Sequence, residues 1–182
     1  MHKLLRGYDP DNVKVGTLGS HSALQILHGA KKEGFETVLV VTRDRLWFYE
    51  NFPHLVDHFV VVDRWSELCG EDTVSRLREL STILVPHGSL VEYVGLDCVE
   101  SLDLPIFGLR SLFRVEASQR RKMELLRRAG IDVPREYGIG EDFRGLVIVK
   151  LGGAKGGRGY FLARNREEVV KGIEKLRSEG YV

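Results

Sequence analysis

Two cysteines, Cys69 and Cys98, are all that a chain of 182 residues carries. They form no CxxC pair and imply no disulfide framework, and neither has a neighbour that would activate its thiol. Side-chain amides are nearly as scarce (Asn12, Asn51, Asn165, Gln25 and Gln119), whereas charged residues make up 29% of the chain, a balance that leans towards a thermophile. No apolar run approaches the roughly 20 residues that a bilayer span needs, and residues 1–14 are too polar for a signal peptide. Neither sign of charge dominates. Lys and Arg total 27 against 26 for Asp and Glu, a net charge of +1, which gives no general attraction to nucleic acid or to an acidic membrane. A soluble cytoplasmic protein is the expectation. His54 and His58 sit four apart with no further ligand beside them, so no metal site is expected, and there is no GxSxG nucleophile elbow.

What the chain does have is alternation. Hydrophobic residues make up 43% of it, enough for one ordinary core or two small ones. Short apolar runs at residues 13–17, 37–42, 58–63, 82–86 and 105–108 read as strands, and helix-period segments at 20–33 and 71–80 lie between them. Gly34 stands just past the first helix, where a left-handed cap belongs. Strands this uniformly apolar are buried on both faces, which implies a parallel sheet with right-handed crossovers. Residues 1–108 thus read as a Rossmann-like domain and residues 109–130 as a connecting basic amphipathic helix. From residue 131 the pattern changes to strand (146–151), glycine-rich loop (152–159), strand (160–163) and a helix from Arg166 capped by Asn165. A unit of that size with an unfinished sheet buries little core, so continuation beyond Val182 is expected.

Open parallel sheets bind ligands at the carboxyl ends of their strands. The first strand ends in Thr17-Leu18-Gly19-Ser20-His21-Ser22, where glycine permits a tight turn, and hydroxyls and free N–H groups suit a phosphate. An ordinary helix cap at Ser20 and a surface histidine would look the same. The fourth strand ends in Pro86-His87-Gly88-Ser89, and the others lead to Arg43, Arg45, Arg64 and Arg110. Convergence of Ser, Thr, His and Arg on one edge points to a phosphorylated small molecule.

The second candidate site is the glycine-rich loop. Lys150 ends an apolar strand, and the loop that follows holds Gly152, Gly153, Gly156, Gly157 and Gly159 with Lys155 among them. It is not a Walker A loop, because it runs from strand to strand and not into a helix. Such a loop reads as a flap whose backbone closes over phosphates, with Lys150 and Lys155 neutralising their charge.

Three motifs in this order, Thr17-Leu-Gly-Ser-His-Ser-Ala-Leu-Gln-Ile-Leu, Val85-Pro-His-Gly-Ser and Val147-Ile-Val-Lys leading to Gly153-Ala-Lys-Gly-Gly-Arg-Gly-Tyr-Phe, resemble the PurP family. That family comprises archaeal ATP-grasp ligases, the FAICAR synthetases of purine (IMP) biosynthesis, which formylate the nucleotide AICAR with formate and ATP through formyl phosphate. The resemblance covers nearly the whole chain. It implies an α/β fold in which a Rossmann-like pre-ATP-grasp domain precedes the first, incomplete part of an α+β ATP-grasp domain, over residues 131–182. It implies AICAR contacts at His21 and Ser89, with Ser22 and His87 nearby, and ATP contacts at Lys150, Gly153, Lys155, Gly156, Gly157 and Gly159. No catalytic residue is singled out. Mg²⁺ is implied as well, but its acidic ligands belong to the family's second half, and no acidic cluster here replaces them. Val115, between Arg114 and Glu116, departs from the aromatic residue expected there. A homo-oligomer is implied as the assembly. Another ATP-grasp carboxylate–amine ligase, or a non-catalytic nucleotide-binding paralogue, remains an alternative.

Overall fold

The computed structural model describes residues 5–6, 8–138, 140–150 and 159–180. It divides into two compact units, Met1–Phe113 and Arg114–Val182. In the first unit β1 (Lys14–Leu18), β2 (Thr37–Thr42), β3 (His58–Val62) and β4 (Thr82–Leu84) form one parallel sheet in the order β3-β2-β1-β4. The helices α1 (Ala23–Lys32), α2 (Arg43–Tyr49), α3 (Glu71–Glu79), α4 (Ser89–Val94) and α5 (Leu96–Ser101) connect and follow the strands, and a 3₁₀ turn occupies Trp65–Cys69.

β2 shows why the sheet is parallel and enclosed. All six of its residues are buried, and they alternate between two cores. Val38 and Val40 join Leu18, Leu68, Leu77, Leu90 and Val99 on one face, whereas Leu39 and Val41 join Ala23, Leu27, Tyr49 and Leu55 on the other. Gly16 lets β1 lie close to β4, because a Cβ at this position would collide with the Thr82 methyl group. Helix α1 ends as expected. Gly34 adopts φ +83°, so that its N–H reaches the Lys31 carbonyl and that of Phe35 the Ala30 carbonyl.

Three expectations are corrected. The fifth strand at 105–108 shrinks to one parallel bridge, Leu84 with Ile106. Pro105 has no N–H to extend the ladder, and Gly108 turns away at φ +94°. The single helix at 109–129 is two helices, α6 (Leu112–Glu116) and α7 (Gln119–Arg128). Ser118 leaves the helical conformation (φ −121°, ψ 112°) and its side chain accepts from the Arg121 N–H, capping α7. Cys69 and Cys98, expected to build no disulfide framework, form a disulfide across a separation of 29 residues. The 3₁₀ turn and α5 both pack on the same core and bring the two thiols together, which spacing along the chain does not reveal.

In the second unit β5 (Val147–Lys150) and β6 (Tyr160–Ala163) pair antiparallel, with Lys150 opposite Tyr160 and Ile148 opposite Leu162. Helix α8 (Arg166–Ser178) follows, its N-terminus capped by the Asn165 side chain as the sequence indicates. Phe161 lies against Gly172 of α8, where a Cβ would meet its ring. Among the described residues no helix is long and apolar enough to cross a membrane.

Candidate functional site

Strands β1 and β4 are neighbours, so the turns after them meet at one edge of the sheet. After β1 the backbone is pinned by Gly19 N–H to the Val40 carbonyl (2.7 Å), and Gly19 sits too close to Tyr49 and Val41 to carry a side chain. After β4, His87 ties the two turns together. Its Nε2–H donates to the Leu18 carbonyl (3.0 Å) and its Nδ1 accepts from the Ser89 N–H (3.2 Å), which defines the neutral Nε2–H tautomer. Burial pushes the His87 imidazole below the usual histidine range, outweighing the Leu18 carbonyl, which favours a protonated ring, and the nearby His21 ring adds to the depression.

Ser20, His21, Ser89 and Tyr93 converge there. His21 Nδ1 lies 3.2 Å from both the Ser20 and the Ser89 hydroxyls, and the Ser20 hydroxyl lies 3.1 Å from that of Ser89 and 3.2 Å from that of Tyr93. Ser20 and Ser89 are buried, whereas His21 is exposed. Since Nδ1 is engaged by hydroxyls, Nε2 is the ring nitrogen left to meet a ligand, and it has no partner among the described residues. The Tyr93 hydroxyl is held below the ordinary tyrosine range, first by the Ser20 hydrogen bond and then by Arg45.

Ser20, His21 and Tyr93 border a cleft of about 410 Å³, and Ser89 stands behind His21 without lining it. Gly19, Ser20 and His21 line it from the first turn, Arg45, Trp47, Phe48 and Tyr49 from α2, and Tyr93 from α4. Arg45 lies over two rings, its Cζ 5.5 Å from the Trp65 centroid and 5.2 Å from that of Tyr93, and the rings themselves stack at 5.2 Å.

The residues singled out from sequence therefore have different fates. His21 and Ser89 are brought into contact. His87 stands behind them with both ring nitrogens committed to backbone groups. Ser22 occupies the N-cap position of α1 without a side-chain capping bond and does not line the cleft. Ser20, an apparent helix cap, is the hub of the hydroxyl cluster. Of the arginines at strand ends, Arg43 pairs with Asp63 (2.8 Å) and Arg64 with Glu67 (3.5 Å). Arg110 donates to the carbonyls of Val99, Glu100, Leu102 and Leu104 and so closes α5. Sequence reasoning missed Tyr93 and Trp65 altogether, and it gave Arg45 no more weight than its neighbours.

At the second candidate site Lys150 is exposed at the end of β5, and Gly159 enters β6 at φ +75°. Lys150, Tyr160, Ile148 and Leu162 all lie on the exposed face of the hairpin, whereas Phe161 and Ala163 turn towards α8. Gly153, Lys155, Gly156 and Gly157 lie outside the described residues. Among the described residues no group of three His, Cys, Asp or Glu is placed to hold a metal ion.

Comparison with known proteins joins these observations. A family model described as "Protein of unknown function (DUF1246)" matches residues 15–137, more than half of the chain. A 5-formaminoimidazole-4-carboxamide-1-(beta)-D-ribofuranosyl 5'-monophosphate synthetase of Ignicoccus hospitalis is 56% identical over 173 residues, covering 95% of this chain and 50% of that protein. The synthetase of the same name from Methanocaldococcus jannaschii is 46% identical, with 95% and 48% covered. The chain thus spans about half the length of the curated relatives it matches. The crystal structure of an IMP biosynthesis protein PurP from Thermococcus kodakaraensis superposes with a TM-score of 0.62 at 32% identity, over 82% of this chain and 49% of that one. The biotin carboxylase-beta-gamma-ATP complex from Campylobacter jejuni shares the fold alone, at a TM-score of 0.62 and 17% identity over 91% of this chain and 42% of that one. The α/β fold is that of the N-terminal portion of ATP-grasp enzymes. The chain belongs to the DUF1246 family and is a homologue of the PurP-type FAICAR synthetases.

Proposed function

We propose that the protein is an ATP-dependent carbon–nitrogen ligase that formylates the exocyclic amine of AICAR with formate, and that the cleft lined by the turn after β1, by α2 and by Tyr93 of α4 binds the nucleotide. The observation that carries this reading is the contact of His21 with Ser89, which joins two motifs far apart in sequence at the carboxyl edge of the sheet. The relatives' name supports the product, a formamido-imidazole carboxamide ribonucleotide.

In the overall reaction the formate carbon bonds to the amine nitrogen, the amine loses a proton, and a formate oxygen departs. ATP supplies the phosphoryl group that carries this oxygen away. The described residues serve by positioning. With Nδ1 accepting from a serine hydroxyl, His21 carries its proton on Nε2 and offers a donor to a carboxamide or phosphate oxygen. His87 holds Ser89 in place through the backbone, and so fixes the distance between hydroxyl and imidazole. Lys150 and the glycine-rich loop would hold the ATP phosphates, with Ile148, Leu162 and Tyr160 offering an apolar surface beside them. No step is assigned to Mg²⁺.

The test is product formation by the full-length protein. AICAR-dependent release of ADP in the presence of formate, with the formamido nucleotide appearing in equal amount, is the expected result. ADP release that ignores AICAR, or that needs a different amine, would replace this reading with another ligase of the same fold.

A further inference from the structure

Among the arginines at the carboxyl edge of the sheet, Arg45 differs in having no carboxylate or carbonyl partner among the described residues. Its polar contact is weak, Nη1 to the Tyr93 hydroxyl at 3.5 Å. The side chain is nevertheless fixed, because the stacked rings of Trp65 and Tyr93, 6° from parallel, lie beneath the guanidinium. A guanidinium placed in advance loses little entropy when it binds, and its fork matches two oxygens of a phosphate. The cleft around it contains hydroxyls, an imidazole and aromatic rings, and among the described residues no aspartate or glutamate lines it. With Arg45 as the charged side chain of that lining, the inventory favours an anion over a cation. Trp47 and Phe48, 68% and 40% exposed, supply an apolar wall on the same cleft.

We infer that Arg45 is the anion-binding residue of this cleft and takes a phosphate monoester, with Trp65 and Tyr93 as the platform that positions it. The inference rests on the nucleotide-binding reading above and names the group that would hold the nucleotide's 5′-phosphate. It also accounts for the Ser20–Tyr93 hydrogen bond, which couples the anion site to the hydroxyl cluster at His21.

The test measures binding of AICAR, its dephosphorylated nucleoside and ribose 5-phosphate to the full-length protein and to its Arg45→Met and Arg45→Lys variants. The wild type is expected to prefer nucleotide over nucleoside. Arg45→Met should reduce that preference by about 10- to 100-fold and leave nucleoside binding unchanged. Arg45→Lys, which keeps a cation over the rings but lacks the fork, should retain part of the preference. Equal losses for nucleotide and nucleoside would overturn the inference and make Arg45 a strut for Tyr93. Ribose 5-phosphate binding that vanishes in Arg45→Met, in a protein that ignores AICAR, would uphold the anion site and remove AICAR as its ligand. Failure of the wild type to bind any phosphorylated probe would overturn both.

Discussion

The imidazole Nδ1 of His21 lies 3.2 Å from the hydroxyl of Ser89, 68 residues further along the chain. The pairing exists because β1 and β4 are adjacent, and because His87 spans from the Leu18 carbonyl to the Ser89 N–H. Two short turns are thereby held as one site.

That arrangement should depend on pH. Burial holds the His87 imidazole below the ordinary histidine range in the fold. A depressed pKa means that the folded state resists the proton, so the contribution of neutral His87 is complete above about pH 6.5 and is lost as the pH falls through the folded-state value. Protonation would also remove the acceptor that positions Ser89. Melting temperature and AICAR affinity, followed from pH 8 to pH 5, should fall more steeply in the wild type than in His87→Gln, which cannot titrate. Parallel profiles would remove His87 from this role.

Lys150 is exposed, so its removal should leave the fold intact. Lys150→Ala in the full-length protein should weaken ATP by about 10-fold or more, the order of a lost charge-assisted contact, without a change in melting temperature. Unchanged ATP affinity would count against the flap site.

The Cys69–Cys98 disulfide joins the 3₁₀ turn that carries Trp65 to the helix that follows Tyr93. Closing a loop of 29 residues contributes roughly 3 to 4 kcal/mol through the unfolded chain. Reduction, or the Cys69→Ala/Cys98→Ala pair, should therefore lower the melting temperature by roughly 10 °C. AICAR affinity should fall with it, because the Trp65–Tyr93 stack loses its tether. A melting curve insensitive to reductant would show that packing alone holds this corner.

Gly19 provides a check on the turn itself. A Cβ there would stand 2.9 Å from both the Tyr49 ring and a Val41 methyl. Gly19→Ala should destabilise the protein by about 1–3 kcal/mol, the usual cost of overpacking, and shift the Ser20 hub with it. Denaturant titration measures the first effect and AICAR binding the second.

Much of this fold was legible because the signals are local. The buried run of β2, Gly34 past α1 and Asn165 before α8 each announce an element within a few residues. The position of His21 and Ser89 at the sheet edge was legible for a related reason, since both follow the ends of apolar strands in sequence. What stayed hidden depends on tertiary contact. Ser20 looks like any helix cap until Ser89 arrives beside it, and Arg45 looks like any surface arginine until Trp65 and Tyr93 close beneath it. Cys69 and Cys98 have no spacing signal, and the break at Ser118 turns on a hydroxyl that competes with an otherwise continuous helical pattern.

The most direct test of the central claim is calorimetric titration of AICAR into the full-length protein and its His21→Ala variant, without ATP. Saturable binding by the wild type, weakened about 10- to 100-fold in the variant while ATP affinity holds, is the predicted result. Equal weakening of both ligands, or AICAR binding indifferent to His21, would contradict the placement of the nucleotide in the cleft beside His21.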